Sequence, residues 1–387
     1  LSTSKHVVRA DTTDPAIHAA ASFGFSFNVV DHADDTTETT AGRSSQGSLR
    51  QFIRNANAIA GPNAMRFLPA SASSNGRWTI HCATPLPAVT DRGTSLDGVA
   101  WMASDPTRPR SSAQQAALEV IVAGPGDALT LTAETNLSSI ALRSEGTAIR
   151  ATARLNANRL TVRSAAASGA AVVVDGAGSS IDQSEIDGGG RATAIVIESH
   201  ASGVRISNTA VVHAANGVVI RAGSSGNNLL HDRFDDISGT AVLFDSAAGA
   251  PSARNRISEA EFISVGTLAG STGKASSAKA GACGYDDQAA NRGIAPPILF
   301  GTYERVPGGL GSLNGKACAG TTVEIYAQSS GNRTNARFVQ AIEPGSDGTF
   351  RVLDVIASTR MLVNLTDKEG NTSMFYGSEP PKEGNGK

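Results

Sequence analysis

With 387 residues, 40% of them hydrophobic, the chain can hold two or three domains around sizeable cores and is globular rather than disordered. A formal net charge of −2 without a basic stripe argues against nucleic acid as a partner. No apolar run reaches the roughly 18 residues of a membrane span, and no two of the three cysteines have the CxxC spacing of a zinc or iron–sulfur site.

In chain order, residues 1–24 read as an N-terminal extension, and a start at Leu1 rather than Met fits a processed chain. The stretch from Phe25 to Val30 is strand-like. The acidic loop that follows, with Asp31, His32, Asp34 and Asp35, could bind calcium but lacks EF-hand spacing, so a solvated loop is expected. Ser48-Leu49-Arg50-Gln51 forms a capping box, and Leu49, Phe52, Ile53, Ala56, Ile59 and Ala60 make an apolar stripe at helical spacing until Gly61-Pro62 stops it. A capping helix is therefore expected over 48–60. Strands are expected around Ala64–Leu68 and Trp78–Ile80, with Cys82 as a small buried hydrophobe at the end of the second.

From about Leu118 to Val265 the sequence repeats. Ile149, Val172, Ile195, Val218 and Val242 occupy equivalent places in short β-branched segments spaced about 23 residues apart. A second segment follows each, apolar at its ends and polar between: Leu155 to Leu160, Ile181 to Ile186, Ile206 to Val211, Leu230 to Phe234 and Ile257 to Phe262. Short strands punctuated by Gly, Ser and Asn, without intervening helix, exclude a βαβ sheet. A propeller blade needs roughly twice this period. A unit this small buries its apolar side only by stacking on copies of itself, which predicts an all-β parallel solenoid over 25–265, right-handed like nearly all parallel crossovers.

Beyond Val265 the pattern breaks. Residues 266–293 are rich in Gly, Ala, Ser and Lys and read as a linker or exposed loop. Residues 294–377 hold alternating strands near Thr321–Tyr326, Ala336–Ala341, Gly348–Leu353 and Met361–Leu365, separated by turn residues, as in a small β-sandwich. Residues 378–387 read as a polar tail. Cys283 and Cys318 flank this junction in a chain that otherwise looks extracellular, and a disulfide between them is expected.

The motif Gly47-Ser48-Leu49-Arg50-Gln51-Phe52-Ile53, continuing through Asn55, Asn57 and Gly61 to Phe67-Leu68-Pro69, resembles the N-terminal cap of bacterial right-handed parallel β-helix surface proteins. Thr84-Pro85-Leu86-Pro87-Ala88-Val89, with Thr94 to Gly98, resembles one of their coils, and the likeness covers about 25–265. The C-terminal strands resemble bacterial immunoglobulin-like modules. The family implies a secreted or cell-surface protein and no single chemistry.

Polysaccharide lyases, polygalacturonases and epimerases share the solenoid, so a catalytic cluster must be weighed. The best candidate is His231, Asp232, Arg233, Asp235 and Asp236, to which neighbouring coils could add Asn208, His213, Asp245, Glu259 and Glu261, with Asp182 and Glu185 two coils earlier. The polygalacturonase pattern is incomplete: Asn208-Thr209 is followed by Ala210, and Gly-His-Gly is absent. Outward polar residues of a strand are the plainer reading. Carbohydrate binding without turnover would need exposed aromatics, of which Trp101 and Tyr285 are the ones to watch. Asn136, Asn332, Asn364 and Asn371 stand in glycosylation triplets. No cofactor fingerprint is present. The expected function is a non-catalytic extracellular or cell-surface structural or adhesive protein, which could assemble with copies of itself through unpaired coil edges into a filament or layer. The alternatives are a polysaccharide-active enzyme and a carbohydrate-binding protein.

Overall fold

The computed structural model describes residues 28–33, 47–67, 77–99, 117–124, 126–246, 250–272, 278–281, 283–305, 310–329, 334–356 and 360–377. Its body is a parallel β-solenoid with three faces. Six consecutive coils, beginning at Thr135–Ser138, each place one strand on every face, and wider, less regular coils precede them. The aligned positions of the repeat are paired as the sequence implies: Ile149, Val172, Ile195, Val218 and Val242 stand in register on the third face. Their side chains, all nearly inaccessible, form one aliphatic column.

The second repeated segment differs from its sequence reading. It is two strands on two faces, as in Leu155–Asn158 and Thr161–Ser164, and its polar middle is a sharp corner. Ser139, Arg159, Gln183, Asn208, His231 and Glu259 occupy this corner with φ near +50° although none is glycine. Such a conformation costs an L-residue about 1–2 kcal/mol. At the first five of these the corner amide offsets that by donating to the carbonyl that ends the neighbouring strand in the next coil, as Asn208 N does to Leu230 O at 3.0 Å. The first-face column also shifts by one place in one coil: Leu229, not Leu230, pairs with Ile206 and Ile257 and points inward.

The cap helix spans Leu49–Ala58, with Ser48 Oγ accepting from Gln51 N at 3.1 Å. The reciprocal half of the capping box is replaced by a bond from Gln51 Nε2 to Asn55 Oδ1 at 2.6 Å. The helix stops short of the expected 60, and Ile59 and Ala60 are exposed. Arg50 and Asn57 explain why the two N-terminal motifs occur together. Arg50 is buried and donates to Pro85 O (2.7 Å) and Thr84 O (2.8 Å), while Asn57 Nδ2 donates to Ala88 O at 2.6 Å and its Oδ1 accepts from Thr90 N at 2.8 Å. The helix is thereby fastened to the Thr84–Thr90 segment. Of the expected strand 25–30, Val29–Val30 is a strand and residues 25–27 lie outside the described residues.

The C-terminal module is two antiparallel sheets. Ile298–Arg305, Leu310–Lys316 and Thr349–Ile356 form one, and Thr322–Ser329, Thr334–Ile342, Arg360–Thr366 and Tyr376–Gly377 the other. Leu313, Phe350, Val323, Ile325 and Val363 lie in the core between them. The module is joined to the solenoid. Thr334–Ile342 pairs antiparallel with Glu261–Val265, so the second face and one sheet of the module are a single sheet. The expected solenoid boundary at 265 needs correction. Thr267–Ser271 is the last strand of the third face, with Ala269 opposite Val242. The later part of 266–293 is a lid: Asn291 is buried and places its Nδ2 on Asn255 O (2.8 Å) and Thr372 O (2.7 Å). Cys283 and Cys318 are bonded, tying this lid to the module.

Candidate functional site

The corner geometry decides what the His231–Asp236 run can do. Alternation around the corner sends Asp232 inward and its neighbours outward. Asp232 is 1% exposed and lies in an inward polar column with Ser184 and Thr209. In that column Leu160 N donates to Ser184 Oγ (3.0 Å) and Thr209 N to Asp232 Oδ1 (2.9 Å). Burial, the largest effect, pushes the Asp232 carboxyl up to about 7 against the opposing pull of the Thr209 backbone bond. It supports backbone and cannot touch a substrate.

The other members are spread out and already engaged. His231 Nε2 lies 2.9 Å from Glu259 Oε2. Arg233 is bonded to Asp235 on its own strand. Asp236 sits at a bulge with φ 52°, in line with His213 above and Ser264 below. Asp182, two coils away, accepts from Asn208 Nδ2 (3.0 Å) and Ser207 Oγ (2.7 Å), and the Asn208 bond foremost holds its carboxyl below the usual range. His213 Nδ1 reaches Asp187 Oδ1 at 3.3 Å. No two carboxylates of the run face each other across a cleft.

Two hollows that the sequence reading did not single out lie on the outer side of the second face. Its outward rows bring Glu119, Ala141, Thr161 and Glu185 into one line and Ile121, Arg143, Arg163 and Asp187 into the next. Arg143 and Arg163 are directly opposite on adjacent strands. One hollow is lined by Glu119, Thr161, Glu185 and Asp187 together with Arg143 and Arg163. The other, of about 300 Å³, is lined by the apolar residues Ile121, Val122, Ala123 and Ala165 and by Arg143 and Arg163. The signal available in sequence was weak, because these arginines are 20 residues apart in coils shorter than the main repeat.

Of the aromatics, Tyr285 is 47% exposed, but the Arg292 guanidinium covers one ring face at 4.2 Å, and Trp101 lies outside the described residues. Asn364 and Asn371 are fully buried, so their triplets cannot accept a glycan in the folded chain. Among the described residues no group of three or more His, Cys, Asp or Glu is gathered as a metal would need; Asp34 and Asp35 of the proposed calcium loop fall outside them. No helix among the described residues is long and apolar enough to cross a membrane. No protein-family model matches the chain, and no curated protein matches it.

Proposed function

We propose that the chain is a non-catalytic structural body of the extracellular or cell-surface kind. The observation that carries this reading is one continuous hydrophobic core, running from Phe52 and Ile53 of the cap helix through every coil to Tyr326 and Leu362 of the C-terminal module. Such a body is stiff because each coil is held on both sides by strand pairing and by stacked aliphatic columns. The Cys283–Cys318 bond suits an oxidising environment. The resemblance of the Gly47–Ile53 and Thr84–Gly98 segments to bacterial surface β-helix proteins, and of the C-terminal strands to their immunoglobulin-like modules, points the same way.

Association with copies of itself is part of the proposal, by a narrower route than expected. The last second-face strand is already paired with Thr334–Ile342, so growth through that edge is closed, while Thr267–Ser271 of the third face still ends its sheet. The enzyme alternative is disfavoured by the burial of Asp232 and by the Arg233–Asp235 and His231–Glu259 pairs. The test is a panel of neutral and acidic polysaccharides assayed for new reducing ends and unsaturated products. Turnover abolished by Asp235→Asn or His231→Gln would refute the non-catalytic reading; its absence together with concentration-dependent self-association or surface binding supports it.

A further inference from the structure

Arg143 and Arg163 stand abreast on neighbouring strands about 4.8 Å apart, an arrangement that is destabilising for like charges unless something neutralises it. Their carboxylate partners do so only in part. Arg143 Nη1 is 3.8 Å from Glu119 Oε1, beyond hydrogen-bonding distance, and Arg163 uses Nε toward Asp187 Oδ2 at 3.2 Å. The remaining donors of both forks are unspent among the described residues, and both side chains are more than half exposed. Glu119 lies on the strand before Arg143 and Asp187 on the strand after Arg163, so the two carboxylates flank the pair and leave the space between the two guanidiniums to a further anion. Both arginines also line the hollow of about 300 Å³, where Ile121, Ala123 and Ala165 offer apolar surface and the one acid, Glu145, already accepts from Gly124 N at 3.0 Å. Two planar donor forks beside an apolar floor match a carboxylate carried on a compact apolar body, since guanidinium meets carboxylate with paired, directional hydrogen bonds.

We propose that this hollow binds a small organic carboxylate, its anionic end held between Arg143 and Arg163 and its apolar body against Ile121, Ala123 and Ala165. The site is independent of the non-catalytic reading above and requires no turnover. The probes are benzoate, inorganic sulfate and benzyl alcohol, titrated calorimetrically into the full chain at low ionic strength. Benzoate is expected to bind saturably with a Kd of about 1 mM, more tightly than sulfate, while benzyl alcohol does not bind. Arg143→Gln and Arg163→Gln should each weaken benzoate by about tenfold, the size expected for losing one charge-assisted pair. Arg92→Gln, which removes an exposed charge elsewhere, should leave it unchanged. Unchanged circular dichroism shows that each variant is folded. Failure of benzoate to saturate, equal affinity for sulfate or benzyl alcohol, or a Kd unmoved by either arginine substitution overturns the assignment.

Discussion

Replacing Asp232 by Asn tests whether the charged His231–Asp236 run serves the fold or a reaction. In the folded chain the carboxyl titrates at about 7, whereas unfolded it would titrate at its ordinary value of 3.8. A raised folded-state value means that this group favours the native state fully below the unfolded pKa. That contribution is lost as pH rises through the folded pKa, at about 1.4 kcal/mol per pH unit. Between pH 5 and 7 the parent should lose about 2–3 kcal/mol from this group, less whatever local relaxation recovers. Asp182 and Asp347, both held below the usual carboxylate range, have the opposite sign and lose their contribution only under more acidic conditions. Asn keeps the acceptor for Thr209 N and carries no charge, so Asp232→Asn should flatten the profile over this window and be the more stable form at pH 8. Urea midpoints at pH 5, 6, 7 and 8, read with hydrogen exchange at the Thr209 amide, provide the measurement. Parallel profiles for parent and variant would sink the reasoning.

Glu324→Ala removes a buried carboxylate that accepts from Ser258 Oγ, from Glu259 N at 3.1 Å and from Tyr326 Oη at 2.6 Å. The stranded donors should cost about 2–4 kcal/mol, with faster hydrogen exchange concentrated in Arg256–Ser258 and Glu261–Val265; a change below about 0.5 kcal/mol would argue that the junction holds without it. Serine at both Cys283 and Cys318 opens a bridge of sequence separation 35 and should lower stability by about 3–4 kcal/mol, read as a reduced urea midpoint matching that of the parent under reductant. Gly217→Ala brings a Cβ to 2.3 Å from Ala241 O and 2.9 Å from Phe234 Cδ1. It should cost about 3 kcal/mol in thermal or urea unfolding, whereas a neutral outcome would mean that adjacent coils can part.

The third face was legible because its inward residues are all apolar and, from Ile149 to Val242, recur at a nearly constant interval, so pattern and packing coincide. The corners were not. Arg159, Gln183, Asn208, His231 and Glu259 share a left-handed conformation without sharing a residue type, because the position is held by backbone hydrogen bonds and any side chain able to face water suffices. The same corner hid the direction of Asp232: a run of charged residues looks solvated, and only the turn reveals that its second member points inward. The C-terminal seal was hidden for another reason. Glu324 reads as an ordinary polar residue in an alternating strand and Asn291 as part of a linker, yet both act on coils far away in sequence. Arg143 and Arg163 became a pair only through register, which a single sequence does not display where coil lengths vary.

The two ends of the solenoid solve the same problem by opposite means. At the N-terminal end the interior is almost wholly leucine-like: Leu49, Leu86, Leu96, Leu118 and Leu129 line a small apolar cavity of about 20 Å³. The helix above it is fixed from outside by Arg50 and Asn57. Toward the other end the interior becomes specific. Val204 N donates to Asn227 Oδ1 (2.9 Å), Asn227 N to Asn255 Oδ1 (3.2 Å) and Asn255 N to Asn291 Oδ1 (2.8 Å). The last asparagine belongs to the lid and stands where a further coil would place its own. Glu324 does the same at the next corner, receiving the Glu259 amide that has no further coil to reach. The aromatic column follows suit, with Phe234 stacked on Phe262 at 5.4 Å and Tyr326 and Phe375 closing it from the module. Buried amide ladders tolerate little slippage, because one step of misregister leaves several donors unpaired in a dry interior. The leucine end can therefore absorb imperfect packing, whereas the C-terminal end requires the lid and the module to arrive in one register. That requirement is matched by a shared sheet and a shared core, since Tyr326 and Leu362 of the module pack in the same cluster as Phe234 and Phe262 of the last coils.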